Sequence, residues 1–309
     1  MSNVLTLIAA PSGRAIDYST IAAAQAALSA CGAAPAARVD WLAPGVACDI
    51  AFEGGDPARA QSAVGARLAG APVDVVAQPT RGRRKKLLVA DMESTVIANE
   101  FVDELAEIAG VGAAVASITD RTVRGELEFA AALAERVAML AGLTTVELER
   151  AYQALDVTPG ARALIATMIA GGAHTALVSG GFGFFADRVG AELGFDSVVA
   201  NQLEFVNGRL AGRLIAPIVD RQAKRTRLEA LATELGIDAR ETIAVGDGAN
   251  DLDMLDAAGI GVAYRAKPIV AASADARIDH GDLTALLYIQ GYRAEDIGAA
   301  PLDSVGRLP

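Results

Sequence analysis

The stretch LLVADMESTVIANE, residues 87–100, joins a short apolar run directly to a cluster of acids and hydroxyls. Residues 87–90 are four consecutive apolar side chains, which is typical of a buried strand. Asp91 and Glu93 follow two positions apart, and Ser94 and Thr95 come next. A carboxylate after a strand is often only a turn or helix-capping residue. The other segments of the chain decide whether these acids form part of a site.

Two other apolar runs end in the same way. HTALVS, residues 174–179, is followed by GGFG, and TIAVGD, residues 242–247, is followed by GANDLDML. Strands and helices alternate in this part of the chain, which predicts a parallel sheet with helices on its faces. Ligands bind such sheets outside the carboxyl ends of the strands. One site is therefore expected to collect five side chains: Asp91, Glu93, Ser179, Asp247 and Asp251.

Helical periodicity alone runs through residues 102–155. The segments FVDELAEIA, ELEFAAALAERVAML and TVELERAYQAL have the apolar spacing of amphipathic helices. They interrupt the alternation after the first strand, and Thr158-Pro159-Gly160 then marks a turn. We therefore predict a helical cap inserted at about residues 102–155. Further on, Asn207-Gly208 between two short apolar runs predicts a hairpin.

Residues 1–80 have a different order of predicted elements: strand, helix, two strands, helix and strand. The basic run RGRRKK, residues 81–86, follows, and such a run at a domain junction is more often a solvated linker than a nucleic-acid patch. The predicted fold class is α/β. A Rossmann-like parallel sheet core with the inserted cap occupies residues 87–296, a small α+β unit of βαββαβ order precedes it, and residues 297–309 form a tail.

Composition limits the classes of partner. Hydrophobic residues make up 52% of the 309, which is ample for buried cores, and the formal net charge of −11 argues against broad nucleic-acid binding. Cys31 and Cys48 are expected to be small buried hydrophobes rather than a disulfide or a zinc site. No segment approaches 18 uninterrupted apolar residues. We expect a cytoplasmic, soluble protein that binds no nucleic acid and no membrane.

The strand-end acids suit phosphate chemistry with a metal. Asp247, Asn250 and Asp251 form an oxygen-rich loop facing Asp91, and such ligands suit a hard divalent cation, of which Mg²⁺ is the economical choice. A carboxylate can be a nucleophile that forms an aspartyl phosphate, while a second carboxyl group transfers protons. A phosphate dianion repels that attack unless cations neutralise the pocket. Lys224, at the start of an amphipathic helix, is either such a cation or a surface lysine.

Gly180-Gly181 precedes the predicted helix FGFFADRVGAEL. The pair is either a tight turn or, with free N–H groups at a helix N-terminus, an anion site. Residues 181–186 also match a GxGxxA dinucleotide fingerprint. That interpretation is disfavoured because bulky phenylalanines crowd the turn and because it leaves the acids at the other two strand ends unexplained.

Together, DMEST with Glu100, SGGF, Lys224 and GDGANDLDML resemble the four motifs of the haloacid dehalogenase superfamily. FVDELAEIAG, RGELEFAAALAERV, ALVSGGFGFFA and AVGDGANDLDML more closely resemble the phosphoserine phosphatase family, over about residues 86–290. The resemblance implies that Asp91 is the nucleophile and Glu93 the general acid and base. It implies a magnesium site at Asp91, the main-chain carbonyl of Glu93, Asp247 and Asp251. It implies that Ser179, the Gly180 amide, Lys224 and Asn250 hold the phosphoryl group.

The same resemblance implies that Glu100, Phe129 and Arg136 contact the amino acid part of a substrate. Phosphoserine carries an ammonium and a carboxylate beside its phosphate, so one anion and one guanidinium would suit it. The sequence departs from the family pattern at two positions. Glu93 stands where the family has an aspartate, and Val123 stands where it often has a methionine.

The expected activity is magnesium-dependent hydrolysis of O-phospho-L-serine to L-serine and phosphate, the last step of serine biosynthesis. Two alternatives stay open: a phosphotransferase that uses another alcohol such as homoserine as acceptor, and a catalytically idle regulatory binding protein. The N-terminal unit resembles amino-acid-sensing ACT domains in its pattern only. It is expected to form a homodimer, to sense serine, or to be a plain structural extension.

Overall fold

The structure is a computed structural model that describes residues 3–13, 16–124 and 126–298. Within these residues the chain forms a five-stranded sheet followed by a seven-stranded sheet. The predicted division into two differently built parts is visible in this arrangement, because the first sheet is antiparallel and the second is mostly parallel.

Antiparallel pairing organises the first part of the chain. Its elements are β1 (Asn3–Ala9), α1 (Tyr18–Ala30), β2 (Ala34–Pro35), β3 (Asp40–Ala43), β4 (Ala47–Glu53), α2 (Pro57–Arg67) and β5 (Val73–Pro79). The strand order is β2-β4-β1-β5, and β3 also pairs with β4. Asp17 and Asp56 start the two helices by accepting hydrogen bonds from main-chain amides. The predicted βαββαβ order holds apart from β2, a two-residue strand that is too short for periodicity to reveal.

A cap of four helices follows the first strand of the second sheet, as predicted. After β6 (Leu87–Ala90) the chain forms α3 (Phe101–Ile108), α4 (Gly112–Val123), α5 (Phe129–Met139) and α6 (Thr145–Tyr152). Thr144 and Glu147 form a capping box at the start of α6, which fixes where this helix begins. The cap therefore joins the core through two linkers, residues 91–100 and 153–160.

The second sheet has the Rossmann-like order expected of alternating strands and helices. The remaining elements are α7 (Ala161–Ala170), β7 (His174–Phe182), α8 (Gly183–Leu193), β8 (Ser197–Val206), β9 (Arg209–Ile215), α9 (Arg221–Glu234), β10 (Thr242–Gly246), α10 (Leu252–Ala257), β11 (Gly261–Tyr264), α11 (Pro268–Ala271), β12 (Ala276–Ile278) and α12 (Ala285–Ile289). The strand order is β12-β11-β10-β6-β7-β8-β9, parallel except for the predicted hairpin of β8 and β9.

Strand β6 lies in the middle of this sheet and is buried on both faces. Leu87 and Val89 pack into one core with residues of α9 and α10, whereas Leu88 and Ala90 pack into the other with residues of α7 and α12. Because β6 runs parallel to β10 and β7, the ends of these three strands lie at one edge. That edge carries Asp91.

The interpretation of residues 81–86 as a solvated linker is wrong for two of its cations. The Arg83 guanidinium is only 12% exposed and pairs with Asp49 of β4 at 2.5 Å. Arg83 also donates to the carbonyl of Ile289 in α12 at 2.7 Å. Lys85 is buried and donates to the carbonyl of Arg240 at 2.7 Å. The basic run therefore connects the two sheets instead of separating them.

The structure also bears on the predictions for the two cysteines, for membrane-spanning helices and for the C-terminal tail. Cys48 is buried as expected, whereas Cys31 is only half-buried, and both are free thiols. None of the helices in the described parts of the chain combines the length and apolarity needed to cross a bilayer. Most of the predicted tail, residues 299–309, lies outside the described residues.

Candidate active site

Asp91 is held at the end of β6 by both its main chain and its side chain. Its amide continues the sheet by donating to the carbonyl of Val245 at 3.0 Å. Its Oδ1 accepts hydrogen bonds from the Met92 amide at 2.7 Å and from the Lys224 Nζ at 2.6 Å. The carboxylate is buried, and these two contacts fix its position and give it a charged partner.

Three acids from two strand ends meet around this position. Carboxylate oxygens of Asp91, Asp247 and Asp251 lie within 4.8 Å of one another, and all three residues are buried. Lys224 Nζ lies 2.6 Å from Asp251 Oδ1 as well as from Asp91 Oδ1. The alternative that Lys224 is a surface lysine is wrong, because its side chain is 0% exposed. The tertiary fold turns this face of α9 onto the sheet edge.

The charges of this cluster do not balance. Burial and then Asp251 raise the pKa of Asp91 well above its usual value, with Lys224 opposing them. Burial and then Asp251 raise the pKa of Asp247 to about 6. Burial would lower the pKa of Lys224, but Asp251 and Asp91 together raise it. The exposed Lys267 opposes the rise at Asp247, but among the buried groups three carboxylates face the one ammonium of Lys224. A divalent cation among the acids would supply the missing charge.

The turn after Asp91 aims its side chains back at the cluster. Ser94 has a φ of 53°, in the left-handed region that non-glycine residues rarely occupy. This turn allows the Thr95 hydroxyl to donate to Asp247 Oδ1 at 3.3 Å. Left-handed backbone at a non-glycine residue is often found where function over-determines the local structure. The DMEST segment is therefore folded around the acids and not merely adjacent to them.

Glu93 points from this turn toward the cap. Its Oε1 accepts a hydrogen bond from the amide of Phe101, the first residue of α3, at 2.9 Å. Burial and then Glu100 raise the pKa of Glu93 well above its usual value. A raised pKa keeps a carboxyl group protonated closer to neutral pH, which is what a proton donor requires.

The end of β7 lies next to Glu93 and carries two glycines, which leave space free beside that side chain. The strand continues through Gly180 and Gly181, with an irregularity in pairing between Val178 and Phe182, so the tight-turn alternative is wrong. A Cβ placed on Gly181 would lie 2.7 Å from Glu93 Oε2 and 3.1 Å from Ser179 Oγ. Only a residue without a side chain leaves that space free. The Ser179 hydroxyl is itself buried and accepts from the Gly181 amide at 2.9 Å.

Gly180 marks where the cap approaches the core. A Cβ placed on it would lie 3.1 Å from Phe129 Cζ and 3.9 Å from Asn250 Nδ2. Phe129 begins α5, and Asn250 lies in the loop after β10. Gly180, Phe129 and Asn250, three of the site residues expected from the sequence, are thus neighbours.

The cap adds a guanidinium to this place. Burial lowers the pKa of Arg136, and the negative charges of Asp103, Glu93 and Glu100 oppose that effect in this order. Arg136 therefore lies in the field of the acids on α3 and the DMEST turn. Glu100 is exposed, and its Oε1 accepts a hydrogen bond from the Ser94 hydroxyl at 2.7 Å.

Sequence reasoning missed three residues that support this site through hydrogen bonds or, for Asp103, through its charge near Arg136. Asn201 in β8 is 0% exposed, donates to the Gly180 carbonyl at 2.8 Å and accepts from the Val219 amide at 2.7 Å. The amide of Lys267, after β11, donates to the Asp247 carbonyl at 3.1 Å. Asp103 of α3 is the third. A polar residue inside an apolar strand pointed to Asn201, but no local pattern distinguished the others.

The comparisons with known proteins agree with this geometry. The family model for haloacid dehalogenase-like hydrolases matches residues 88–256. A relative from Archaeoglobus fulgidus, named phosphoserine phosphatase, is 43% identical over 225 residues, which are 72% of this chain and 65% of the relative. A phosphoserine phosphatase from Idiomarina loihiensis is 45% identical over 201 residues, 65% of this chain and 91% of the relative.

A solved structure extends the likeness to the first sheet. The unliganded probable phosphoserine phosphatase of Vibrio cholerae superposes with a TM-score of 0.77 and 31% identity, covering 96% of this chain and 88% of that one. The chain belongs to the haloacid dehalogenase-like hydrolases and, within them, to the phosphoserine phosphatase family. It spans 65%, 55% and 60% of the lengths of relatives from A. fulgidus, Mycobacterium tuberculosis and Streptomyces coelicolor.

Proposed function

We propose that this protein hydrolyses O-phospho-L-serine to L-serine and inorganic phosphate with the help of Mg²⁺, the last step of serine biosynthesis. The observation that carries the proposal is the buried Asp91, 2.6 Å from the Lys224 ammonium and surrounded by two further carboxylates at one sheet edge. The names of its relatives support the same substrate.

Asp91 is the nucleophile. One oxygen, Oδ1, is engaged by Lys224 and by the Met92 amide, which fixes the plane of the carboxylate. Its other oxygen attacks phosphorus, forming an aspartyl phosphate while the bond from phosphorus to the serine oxygen breaks. In this proposal Lys224, Ser179 and the Gly180 amide neutralise and hold the phosphoryl oxygens.

Glu93 moves the protons. Its raised pKa favours the protonated form, which donates its proton to the departing serine oxygen. The resulting carboxylate then accepts a proton from the water that attacks the aspartyl phosphate, and phosphate leaves with Asp91 restored. Gly181 leaves room on the same side of the pocket for these groups.

The acids also suit the proposed cation. Asp91, Asp247 and the Glu93 carbonyl would hold Mg²⁺, with Asp251 and Asn250 in support. When bound, Mg²⁺ neutralises charge on the phosphoryl group and on the acids. Without it, the buried Lys224 and the exposed Lys267 would have to balance three buried carboxylates.

Selection of the amino acid falls to the cap side of the pocket. Arg136 matches the substrate carboxylate, since a guanidinium binds a carboxylate through two parallel hydrogen bonds. Glu100, held by Ser94, matches the ammonium, and Phe129 packs beside Gly180. The side chain of Val123, the other departure from the family pattern, lies outside the described residues.

Phosphate release from O-phospho-L-serine tests the proposal, measured with and without Mg²⁺ and beside phosphothreonine and an aryl phosphate. We expect fast release that a chelator stops and that favours phosphoserine. Release from the aryl phosphate alone would reject the substrate while keeping the chemistry. Phosphorylated homoserine appearing when homoserine is added would instead identify a phosphotransferase, and absence of any turnover would favour an idle binding protein.

The role of the N-terminal unit also stays a proposal. We infer that residues 1–80 form an ACT-like module joined through residues 81–86 to the phosphatase domain, residues 87–296. Calorimetric titration of the full chain with L-serine, and its mass in solution, test whether this module senses serine or forms a homodimer. No heat and a monomeric mass would leave a structural extension as its role.

A further inference from the structure

The two linkers between the core and the cap are joined along their length. Ile97 and Val157 face each other as an isolated antiparallel bridge. The Ala98 amide donates to the Asp156 carbonyl at 2.8 Å, and the Thr158 amide donates to the Val96 carbonyl at 3.0 Å. A short antiparallel ribbon, residues 96–99 with 156–158, therefore connects the cap to the core.

Asn99 closes this ribbon at its cap end. Its side-chain oxygen accepts from the Asp156 amide at 2.7 Å, and its Nδ2 donates to the Ala154 carbonyl at 3.1 Å and to Glu104 Oε1 at 2.7 Å. The residue is 9% exposed. One buried amide thus ties the incoming linker to the outgoing linker and to the first turn of α3.

Glu93 is fastened to the same turn of α3. The first amides of a helix have no acceptor within the helix, and the Phe101 amide finds one in Glu93 Oε1 at 2.9 Å. Phe101 is only two positions beyond Asn99. The ring of Phe101 is fully buried and stacks on Phe185 of α8 with 3.7 Å between ring centroids, so this end of α3 is firmly placed.

From these contacts we propose that Asn99 is a positioning residue for Glu93. By joining the two linkers to α3, Asn99 acts together with the Phe101–Phe185 stack to set the place of the Phe101 amide, and that amide sets the place of the Glu93 carboxyl group. This inference rests on the proposed function, in which Glu93 protonates the leaving oxygen. Glu93 is one methylene longer than the aspartate of the family pattern and so has an additional torsion to restrain.

Substrates with different leaving groups distinguish a positioning role of Asn99 from a purely structural one. Serine leaves as an alkoxide unless it is protonated, whereas p-nitrophenolate leaves readily without a proton. Loss of Glu93 positioning therefore slows phosphoserine hydrolysis much more than p-nitrophenyl phosphate hydrolysis. A general collapse of the site slows both reactions equally.

The experiment compares kcat/KM for these two substrates in Asn99→Ala, Glu93→Gln and the parent protein, with Gln153→Ala as control. Gln153 is the first residue of the second linker but is exposed. We expect Asn99→Ala to lose about tenfold to hundredfold on phosphoserine, the range for a misplaced catalytic group, and less than about threefold on p-nitrophenyl phosphate. Glu93→Gln should lose selectively in the same way, and the control should be unchanged. Equal losses on both substrates in Asn99→Ala would overturn the proposal.

A second variant keeps the proposal testable if Asn99→Ala does not fold, and a second measurement keeps it testable if the proposed function is wrong. Asn99→Asp keeps the acceptor for the Asp156 amide but removes both donated hydrogen bonds, and it should lose selectively as well. Hydrogen exchange over residues 97–108 needs no activity. We expect faster exchange of the Phe101 amide in Asn99→Ala and Asn99→Asp, whereas Glu93→Gln keeps a side-chain oxygen that can accept from this amide and should exchange at the parent rate. Unchanged exchange in the Asn99 variants would overturn the inference even if phosphoserine proved not to be the substrate.

Discussion

Of two buried ionic clusters in this molecule, one has balanced charges and the other has an excess of negative charge. Arg83, in the segment between the sheets, meets the single carboxylate of Asp49 through both ends of its guanidinium. Its Nε donates to the Ile289 carbonyl, and its Nη2 also reaches the Tyr288 carbonyl and the Thr6 hydroxyl. At the sheet edge, by contrast, Lys224 is the ammonium shared by Asp91 and Asp251, with Asp247 beside them.

This difference separates a structural contact from a functional one. A buried ion pair stays together at low cost when its hydrogen-bonding groups are satisfied, as those of Arg83 and Asp49 are. A cluster with excess charge of one sign shifts the pKa values of its members, and such shifts concentrate at functional sites. The interface near Arg83 is complete by itself, whereas the edge near Asp91 is built for a cation and a phosphate.

The largest expected effect comes from removing the nucleophile. Asp91→Asn keeps the shape of the side chain but deprives it of the charge that attacks phosphorus, so phosphate release should fall to background. The measurement is release under single-turnover conditions, with circular dichroism to verify folding. Release at a rate close to that of the parent protein would contradict the assignment of Asp91.

Breaking the balanced pair should instead cost stability and leave the chemistry intact. Arg83→Met leaves Asp49 buried without its partner, which typically costs about 3–5 kcal/mol of unfolding free energy. Denaturant unfolding measures this loss, and kcat/KM at a temperature where the variant is folded should stay within about twofold. A double variant, Arg83→Met with Asp49→Leu, should recover much of the loss. A stable Arg83→Met protein would show that the interface contributes little.

Removing one acid from the unbalanced cluster should act in the opposite direction. The pKa of Asp247 is raised from 3.8 to about 6, so above pH 6 its ionised form destabilises the folded, metal-free protein, by about 3 kcal/mol on the usual conversion. In chelator at pH 7, Asp247→Asn should therefore be more stable than the parent. It should also lose the stabilisation that Mg²⁺ gives the parent. Lower stability without metal would contradict the idea of excess charge.

The same pKa predicts how metal binding depends on pH. Protons compete with the cation for a carboxylate, so the apparent Mg²⁺ affinity should rise with pH through about 6, where Asp247 ionises, and Asp91, whose pKa is also raised, should add to the rise. Below that point the slope should approach tenfold per pH unit for one proton displaced. Calorimetric titrations between pH 5 and 8, roughly spanning the transition, measure the profile. A flat profile would mean that Asp247 does not bind the cation.

The smallest effect is expected at an exposed pair. Arg213 Nε lies 2.7 Å from Glu204 Oε2 on the β8–β9 hairpin, with both side chains open to solvent. Water and salt screen such pairs. Arg213→Ala should unfold at the same temperature and turn over at the same rate as the parent, and it serves as the reference for the buried pairs. A clear loss of stability would show that exposure alone does not separate the two kinds of contact.

The sequence predicted those site residues whose reactive side chains directly follow a recognisable strand pattern. Asp91 and Asp247 follow apolar runs directly, and the alternation of strands and helices places such ends at one edge. Asn99 gave no comparable indication, and Asn201 showed only as a polar residue in an apolar strand, because their partners lie in other segments, at Ala154 and Gly180. The sequence could not show whether the Lys224 side chain is buried or exposed. Its helix, α9, carries several cationic residues, and the amphipathic pattern does not indicate which of them faces the core.

The sequence by itself determined the parallel sheet, the inserted cap and the acids at the strand ends, because periodicity and strand-end chemistry are local properties of the chain. Tertiary structure alone decided which charges are balanced. Lys224 is buried against acids 133 and 27 positions away in the sequence, and Arg83 is 34 positions from Asp49 and 206 from Ile289. Packing sets such distances and the burial that makes them matter, since electrostatic interactions strengthen as water is excluded.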